Sequence, residues 1–163
     1  MIEELTKDEI DEFLRRRLVG RVGCHAEGKT YVVPLIYVWD SGYVYVQSLD
    51  GRKIRMMRAN PEVCFEVDEY EQDGSWHSVI IEGVYEELEG SAAEAAVALL
   101  VQRLVGRHEP PEEVIERKPV PFRIRSTQAT GRRVTRTPAA KALTRLGVVR
   151  TRQRARQLRR SSR

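Results

Sequence analysis

Apolar residues fall on one helical face at Ile10, Phe13, Leu14 and Leu18, directly after a Thr6-x-x-Glu9 spacing that fits a capping box. Leu5 and Ile10 are placed for a hydrophobic staple across that start. The pattern predicts a helix from Lys7 to Arg17. Gly20 then releases the chain and the apolar period drops to 2. A short strand is expected over Arg21–Ala26, a turn at Glu27-Gly28, and a long strand over Lys29–Trp39. Asp40-Ser41-Gly42 closes a hairpin onto a strand at Tyr43–Ser48. A short helix over Gly51–Ala59 follows, with Asp50 as its N-cap and Asn60-Pro61 as its stop. Val63, Phe65 and Val67 alternate with Cys64 and Glu66 as a fourth strand, and Trp76–Leu88 reads as a fifth. Ser91-x-x-Glu94 is a second capping box, heading a helix whose buried stripe is Val97, Leu100, Val101 and Leu104. Phe122–Gln128 alternates weakly as a sixth strand. Beyond Thr137 only Leu143 and Leu146 hint at a helix.

Strands joined by hairpins, with helices inserted rather than alternating strictly, argue against a doubly wound parallel sheet. They fit a mainly β fold with helices, a small antiparallel barrel. With 163 residues, 41% of them apolar, the chain can bury one core. Residues 1–136 are expected to form that domain, and residues 137–163 a basic, Arg-rich tail. Within the long strand both faces are apolar: Tyr31, Val33, Leu35, Tyr37 and Trp39 point one way, Val32, Pro34, Ile36 and Val38 the other. The barrel interior covers one face, and a second copy of the chain is the economical cover for the other, so a homodimer is expected. Pro34 cannot donate to a ladder and marks an edge or a break. It either frees backbone groups for a ligand or closes the edge against aggregation.

The net charge of +4 conceals a split. The last acid is Glu116, and 16 of the 28 Lys and Arg lie beyond it, leaving 12 bases against 24 acids in residues 1–116. The basic end suggests a solvated terminus, an arm for nucleic acid or another polyanion, or a segment that folds back on the acidic body. Its arginines carry no interleaved aromatic rings, as single-strand binders do. The longest apolar run, Tyr31–Trp39, is too short for a membrane span, and the acidic start lacks the basic opening of a secretory signal, so a soluble cytoplasmic protein is expected. Cys24 and Cys64 read as buried reduced thiols, and His25, His77 and His108 form no metal-ligand pattern.

Candidate chemistry concentrates at Ser48-Leu49-Asp50-Gly51-Arg52-Lys53. Two cations in the first turn of a helix oppose its macrodipole unless an anion compensates. With the Ser48 hydroxyl and close approach allowed at Gly51, the segment reads either as a phosphate cradle or as an Asp-Gly turn bearing two solvated cations.

Several blocks together carry a family resemblance: Tyr31-Val-Val-Pro-Leu-Ile-Tyr37, Gly42-Tyr-Val-Tyr-Val-Gln-Ser48, Gly51-Arg-Lys-Ile54, Asn60-Pro-Glu-Val-Cys-Phe-Glu-Val67 and Trp76-His-Ser-Val-Ile-Ile-Glu-Gly83. Over residues 8 to 133 the chain resembles the FMN-binding split barrels, the pyridoxamine 5'-phosphate oxidase-like superfamily, and within it the nitroimidazole-resistance type. The resemblance implies a six-stranded antiparallel Greek-key split barrel, a homodimer, and two FMN molecules at the subunit interface. By position it assigns phosphate binding to Ser48, Arg52 and Lys53. It lays the backbone of Val33, Pro34 and Leu35 along the isoalloxazine ring and brings Trp76 and Ser78 from the partner subunit. Deazaflavin and haem are the alternative cofactors in related barrels.

The implied activity is transfer of electrons from reduced flavin to a small acceptor, with NAD(P)H as a possible donor. The other reading is a module that stores or senses flavin without turnover. The C-terminal Trp segment with paired arginines of true pyridoxamine phosphate oxidases has no counterpart here. His25 is the one candidate for a substrate-facing acid; its plainer reading is a surface imidazole before a turn.

Overall fold

The computed structural model describes residues 1–104 and 119–135. The expected tail, residues 137–163, lies outside them. Eight strands and three helices follow in the order β1 (Ile2–Glu4), α1 (Lys7–Arg16), β2 (Val19–Ala26), β3 (Lys29–Ile36), β4 (Val38–Asp40), β5 (Tyr43–Leu49), α2 (Arg52–Ala59), β6 (Glu62–Tyr70), β7 (Trp76–Glu87), α3 (Gly90–Leu104) and β8 (Pro119–Val134). All pairings are antiparallel, in the order β3-β2-β6-β7-β8-β5-β4, with β1 added to β8. The six expected strands are the six long ones. β5 stays paired with its hairpin partner β4 and takes β8, not β6, on its other side, and no ladder among the described residues closes β3 onto β4. The sheet therefore curls into a barrel that stays split.

Local sequence explains each start and stop. At α1 the Thr6 hydroxyl accepts from the Glu9 N–H at 3.3 Å and the Thr6 N–H donates to the Glu9 carboxylate at 2.8 Å, so the capping box is formed. Those bonds, with Arg133 nearby, hold the Glu9 carboxyl below its ordinary range. The β2–β3 turn places both Glu27 (φ 52°) and Gly28 (φ 71°) in the left-handed region, the type I′ geometry that matches the twist of paired strands.

The core is the inward set of each alternation: Val22 and Cys24 on β2, Val63, Phe65 and Val67 on β6, Val79 and Ile81 on β7, and Val120, Phe122 and Ile124 on β8. Leu14 of α1 and Ile54 and Met57 of α2 close it, all fully buried. Tyr37 is fully buried at the centre, edge-on to Phe65 with ring centroids 5.1 Å apart, and its hydroxyl donates to the Leu14 carbonyl at 2.8 Å. Burial pushes its phenol pKa up.

Several expectations are corrected. The strand expected over Lys29–Trp39 breaks at Tyr37, whose N–H donates to Leu18 O rather than to a strand ladder, so β3 and β4 are separate. The N-cap of α2 is Gly51, without a side-chain cap; Asp50 instead accepts from Arg58 at 3.0 Å. Helix α3 begins at Gly90, one residue ahead of the Ser91 expected to cap it, and buries Ala96 and Leu100 while Val101 faces solvent. Cys24 is buried but Cys64 is exposed on the outer face of β6; both are free thiols. The sixth strand is far longer than Phe122–Gln128, because β8 continues through Thr130-Gly131 to pair with β7 and β1.

Between Glu82 and Gly83 the β7–β8 register shifts by one residue, leaving Thr127 as the extra member of β8, its hydroxyl donating to Glu82 O at 2.9 Å. A Cβ at Gly83 would stand 2.5 Å from Ile124 Cγ2 and 2.8 Å from Arg125 O, in a ladder that cannot retreat. Gly83→Ala is therefore expected to lower unfolding free energy by about 1–3 kcal/mol, seen as a lower urea midpoint at unchanged slope. An unmoved midpoint would contradict this packing.

Candidate functional site

β5 delivers Ser48 and Leu49 to the mouth of the barrel, and the chain turns there through Asp50 and Gly51 into α2. Gly51 is extended (φ −170°), a backbone any residue adopts; what it contributes is an open approach, since an added Cβ would meet only Leu49 O at 3.9 Å. The first turn of α2 has no acidic residue and no side-chain cap, so its leading N–H groups and the positive end of its dipole face outward. Arg52 and Lys53 are added to that field.

Neither cation is neutralised by a carboxylate of the described residues. Among the described residues, arginines 16, 17, 21, 58, 123, 125 and 133 each pair with a carboxylate, whereas Arg52 and Lys53 pair with none. Lys53 is half-buried, and that burial pulls its ammonium pKa below the ordinary lysine value. The Arg52 guanidinium carbon lies 4.5 Å from the centroid of the Tyr31 ring. Tyr31 is opposite Cys24 in the β2–β3 ladder, and the Cys24 thiol, 1% exposed, meets Tyr31 O at 3.5 Å. Burial pushes the Cys24 thiol up in pKa, and the nearby Arg52 and Lys53 partly oppose that. Arg52, Lys53, Tyr31 and Cys24 thus form one cluster, with Ser48, half-buried at the end of β5, leading into it.

β3 supplies a second element. Among the described residues it pairs on one side only, with β2, so it is an edge of the split barrel there, one of the two readings of Pro34. Val33 faces Val22, Pro34 faces Arg21 and Leu35 faces Gly20 across the ladder; Leu35 is buried, Val33 half-buried and Pro34 exposed. The two faces read from the sequence are confirmed in direction, because Val32 and Pro34 are exposed while Leu35, Tyr37 and Trp39 are buried.

Trp76 and Ser78 are elsewhere. Ser48 pairs with Val120 near one end of β8, and Trp76 pairs with Val134 at the other. Fourteen positions at roughly 3.3 Å each put about 45 Å of strand contour between them. Among the described residues no hydrogen bond, ion pair or ring contact joins the Trp76 block to the cradle. Trp76 and Ser78 are half-buried on the outer face of β7, opposite Tyr70 and Asp68 of β6.

His25 is exposed, with Nδ1 at 3.0 Å from Thr30 Oγ1 and its carbonyl accepting from Asn60 Nδ2 at 2.9 Å, which fits the surface imidazole reading. It borders an open groove of about 840 Å³ on the outer face, lined also by Gly23, Val32, Cys64 and Glu82 and reaching none of Ser48, Arg52 or Lys53. No metal-ligand cluster occurs among the described residues, and no helix among them is long and apolar enough to cross a membrane.

What sequence reasoning missed is Tyr31 as the support of Arg52. The signal available was an aromatic at the start of an edge strand, which on its own also fits core packing.

Comparison with known proteins now bears on this geometry. A crystal structure of a FAD-binding protein from Mesorhizobium loti is 33% identical, covering 83% of this chain and 99% of that one, with a TM-score of 0.69. A candidate 5-nitroimidazole antibiotic resistance protein from Bacteroides thetaiotaomicron, 20% identical over 82% of this chain and 87% of that one, shares the fold with a TM-score of 0.67. An uncharacterized protein of Rhizobium meliloti is 29% identical over 87 residues, 53% of this chain and 58% of that protein, so the match spans less than two-thirds of that relative's length. The family model described as pyridoxamine 5'-phosphate oxidase matches residues 6–133, a span that runs from the Thr6 cap of α1 nearly to the end of β8. With the split antiparallel barrel and that match over most of its length, this chain belongs to the pyridoxamine 5'-phosphate oxidase family.

Proposed function

We propose that this chain is an FMN-binding flavoprotein that works as a homodimer and passes electrons from reduced flavin to a small planar acceptor. The observation that carries the reading is the pair of cations without carboxylate partners at the uncapped start of α2, next to an edge strand with an exposed Pro34. A flavin phosphate fits that donor set: the α2 N–H groups, the Ser48 hydroxyl, the Lys53 ammonium and the Arg52 guanidinium all offer hydrogens to an anion, and no acid in the first turn repels it. The FAD-binding relative from Mesorhizobium loti supports a flavin as the occupant.

In this reading Arg52, Lys53 and Ser48 hold the phosphate, and the backbone of Val33, Pro34 and Leu35 lies along the ring. The bound flavin supplies the hydride and electron chemistry, with NAD(P)H as donor, so the protein needs no nucleophile or acid–base pair of its own. The protein's work is binding, orientation and exclusion of water.

The homodimer is supported by two features. Trp76 and Ser78 make no contact with the cradle residues of their own chain among the described residues, so in this reading they reach the flavin as Trp76 and Ser78 of the partner subunit. In addition, Ile2, Val134, Trp76 and Tyr70 stand opposite one another across β1, β8, β7 and β6, an apolar row on the outer face in which Tyr70 is 72% and Ile2 67% exposed. Such a row is the kind of surface that a second copy covers.

Titration of the apoprotein with FMN, followed by flavin fluorescence, tests the cradle. Lys53→Ala is expected to weaken binding by about 1.5–3 kcal/mol, or about 10- to 150-fold. Full flavin retention by the double variant Arg52→Ala, Lys53→Ala would end the proposal.

The pH dependence has a definite sign. Lys53 is charged below its lowered pKa and neutral above it, so phosphate affinity is complete at lower pH and falls as pH rises through that value, earlier than an ordinary lysine would allow. Lys53→Arg keeps its charge throughout, and its alkaline loss of affinity should vanish. The same alkaline fall in both proteins would show that Lys53 is not the group concerned.

A further inference from the structure

Arg52 differs from the carboxylate-paired arginines in how it is held. Arg21 is fixed by Glu66 and Asp68, Arg58 by Asp50 and Glu87, Arg133 by Glu3 and Glu9, and each of these carboxylates cancels the charge it orients. Arg52 has the face of Tyr31 instead, at 4.5 Å from ring centroid to guanidinium carbon. A π face attracts the cation through its quadrupole, removes no net charge, and leaves the in-plane N–H donors of the guanidinium available. A carboxylate in the same place would take those donors and compete with any incoming anion.

Tyr31 is itself well anchored. Its ring packs partly buried against the core, and its carbonyl meets the thiol of Cys24, its partner in the β2–β3 ladder. Lys53 gains rigidity in another way, by half-burial on its own helix. Arg52 is exposed at the rim and has no such burial, so without the ring its long side chain would sample many rotamers and lose entropy on meeting an anion.

We propose that Tyr31 is a positioning residue for phosphate recognition: its ring pre-orients Arg52 over the start of α2 without neutralising it. The inference rests on the reading of α2 as a flavin-phosphate cradle. Tyr31 acts through Arg52 and not on the ring system of the ligand, so its effect is confined to the phosphate.

The test compares FMN with riboflavin, which lacks the phosphate, by fluorescence titration of the full-length apoprotein. The ratio of the two dissociation constants isolates what the phosphate contributes. Tyr31→Leu is expected to lower the wild-type preference for FMN by about two- to fivefold, the range of an exposed cation–π contact, with riboflavin affinity unchanged. Tyr31→Phe, which keeps a π face, should restore the preference. In an Arg52→Ala background, Tyr31→Leu should cost nothing more.

Equal loss of FMN and riboflavin affinity in Tyr31→Leu would overturn the inference by placing Tyr31 against the flavin ring or in the fold. An undiminished preference in Tyr31→Leu would overturn it too, while leaving the cradle in place. No wild-type preference for FMN over riboflavin would instead remove the cradle and, with it, this role for Tyr31.

Discussion

The backbone ladder of β8 is the constraint on which the rest of this molecule depends. Over sixteen residues it pairs with β5 at one end and β7 along most of its length, and it takes β1 at the other end. A strand that long cannot stay flat around a core of this size; it must coil. The bulge at Thr127 supplies local twist, and Gly83 on β7 lets the two strands come close where a side chain would hold them apart. The outcome fixes where α2 begins. One end of β8 holds β5 so that the chain emerges into α2 with its cations at the rim, and the other end holds Trp76.

Much of this architecture was legible in the sequence because inward positions alternate cleanly with outward ones. Val63, Phe65 and Val67 are buried between exposed or half-buried neighbours, as their spacing requires, and α1 begins where Thr6 and Glu9 predicted. The failures share a cause, which is that tertiary contact overrode a local signal. β1 and the second half of β8 are polar or charged over most of their length, and only pairing with other strands makes them strands. Tyr37 interrupts an unbroken apolar run because its N–H is taken by Leu18 O and its ring by the core, neither of which is a local property. Val101 fits a helical stripe as well as Ala96 does, but which of two overlapping stripes is buried depends on where the sheet lies.

The site was legible in part. Arg52 and Lys53 stood out because like charges at a helix start demand an explanation, and the structure sharpens this by giving Asp50 to Arg58 instead of to the helix cap. That exchange could not be read from spacing: Asp50 directly before Gly51 is a good N-cap candidate, and only the return of α2 toward β7 brings Arg58 and Glu87 close enough to draw its side chain away. The first turn itself, Arg52-Lys53-Ile54-Arg55, carries no acid. Tyr31 was invisible as a partner of Arg52 because the two are twenty-one positions apart and meet only once β3 and α2 flank the same end of β2.

The uneven distribution of charge along the chain looks different once the ladders are known. Sixteen bases follow the last acid, which suggests a basic appendage beside an acidic body. Yet Arg123 and Arg125 bond to Glu86, and Arg133 bonds to Glu3 and Glu9, so the first part of that basic stretch is the complement of the body's own carboxylates. Individually these half-exposed pairs contribute little to stability. Their larger effect is local: these bases and acids offset one another in place, across strands. Among the described residues Arg52 and Lys53 are adjacent cations without a carboxylate partner, at a helix start that lacks both an acid and a side-chain cap. Net charge would have pointed a polyanion toward the C-terminal end; pairing, taken residue by residue, points a small anion to α2.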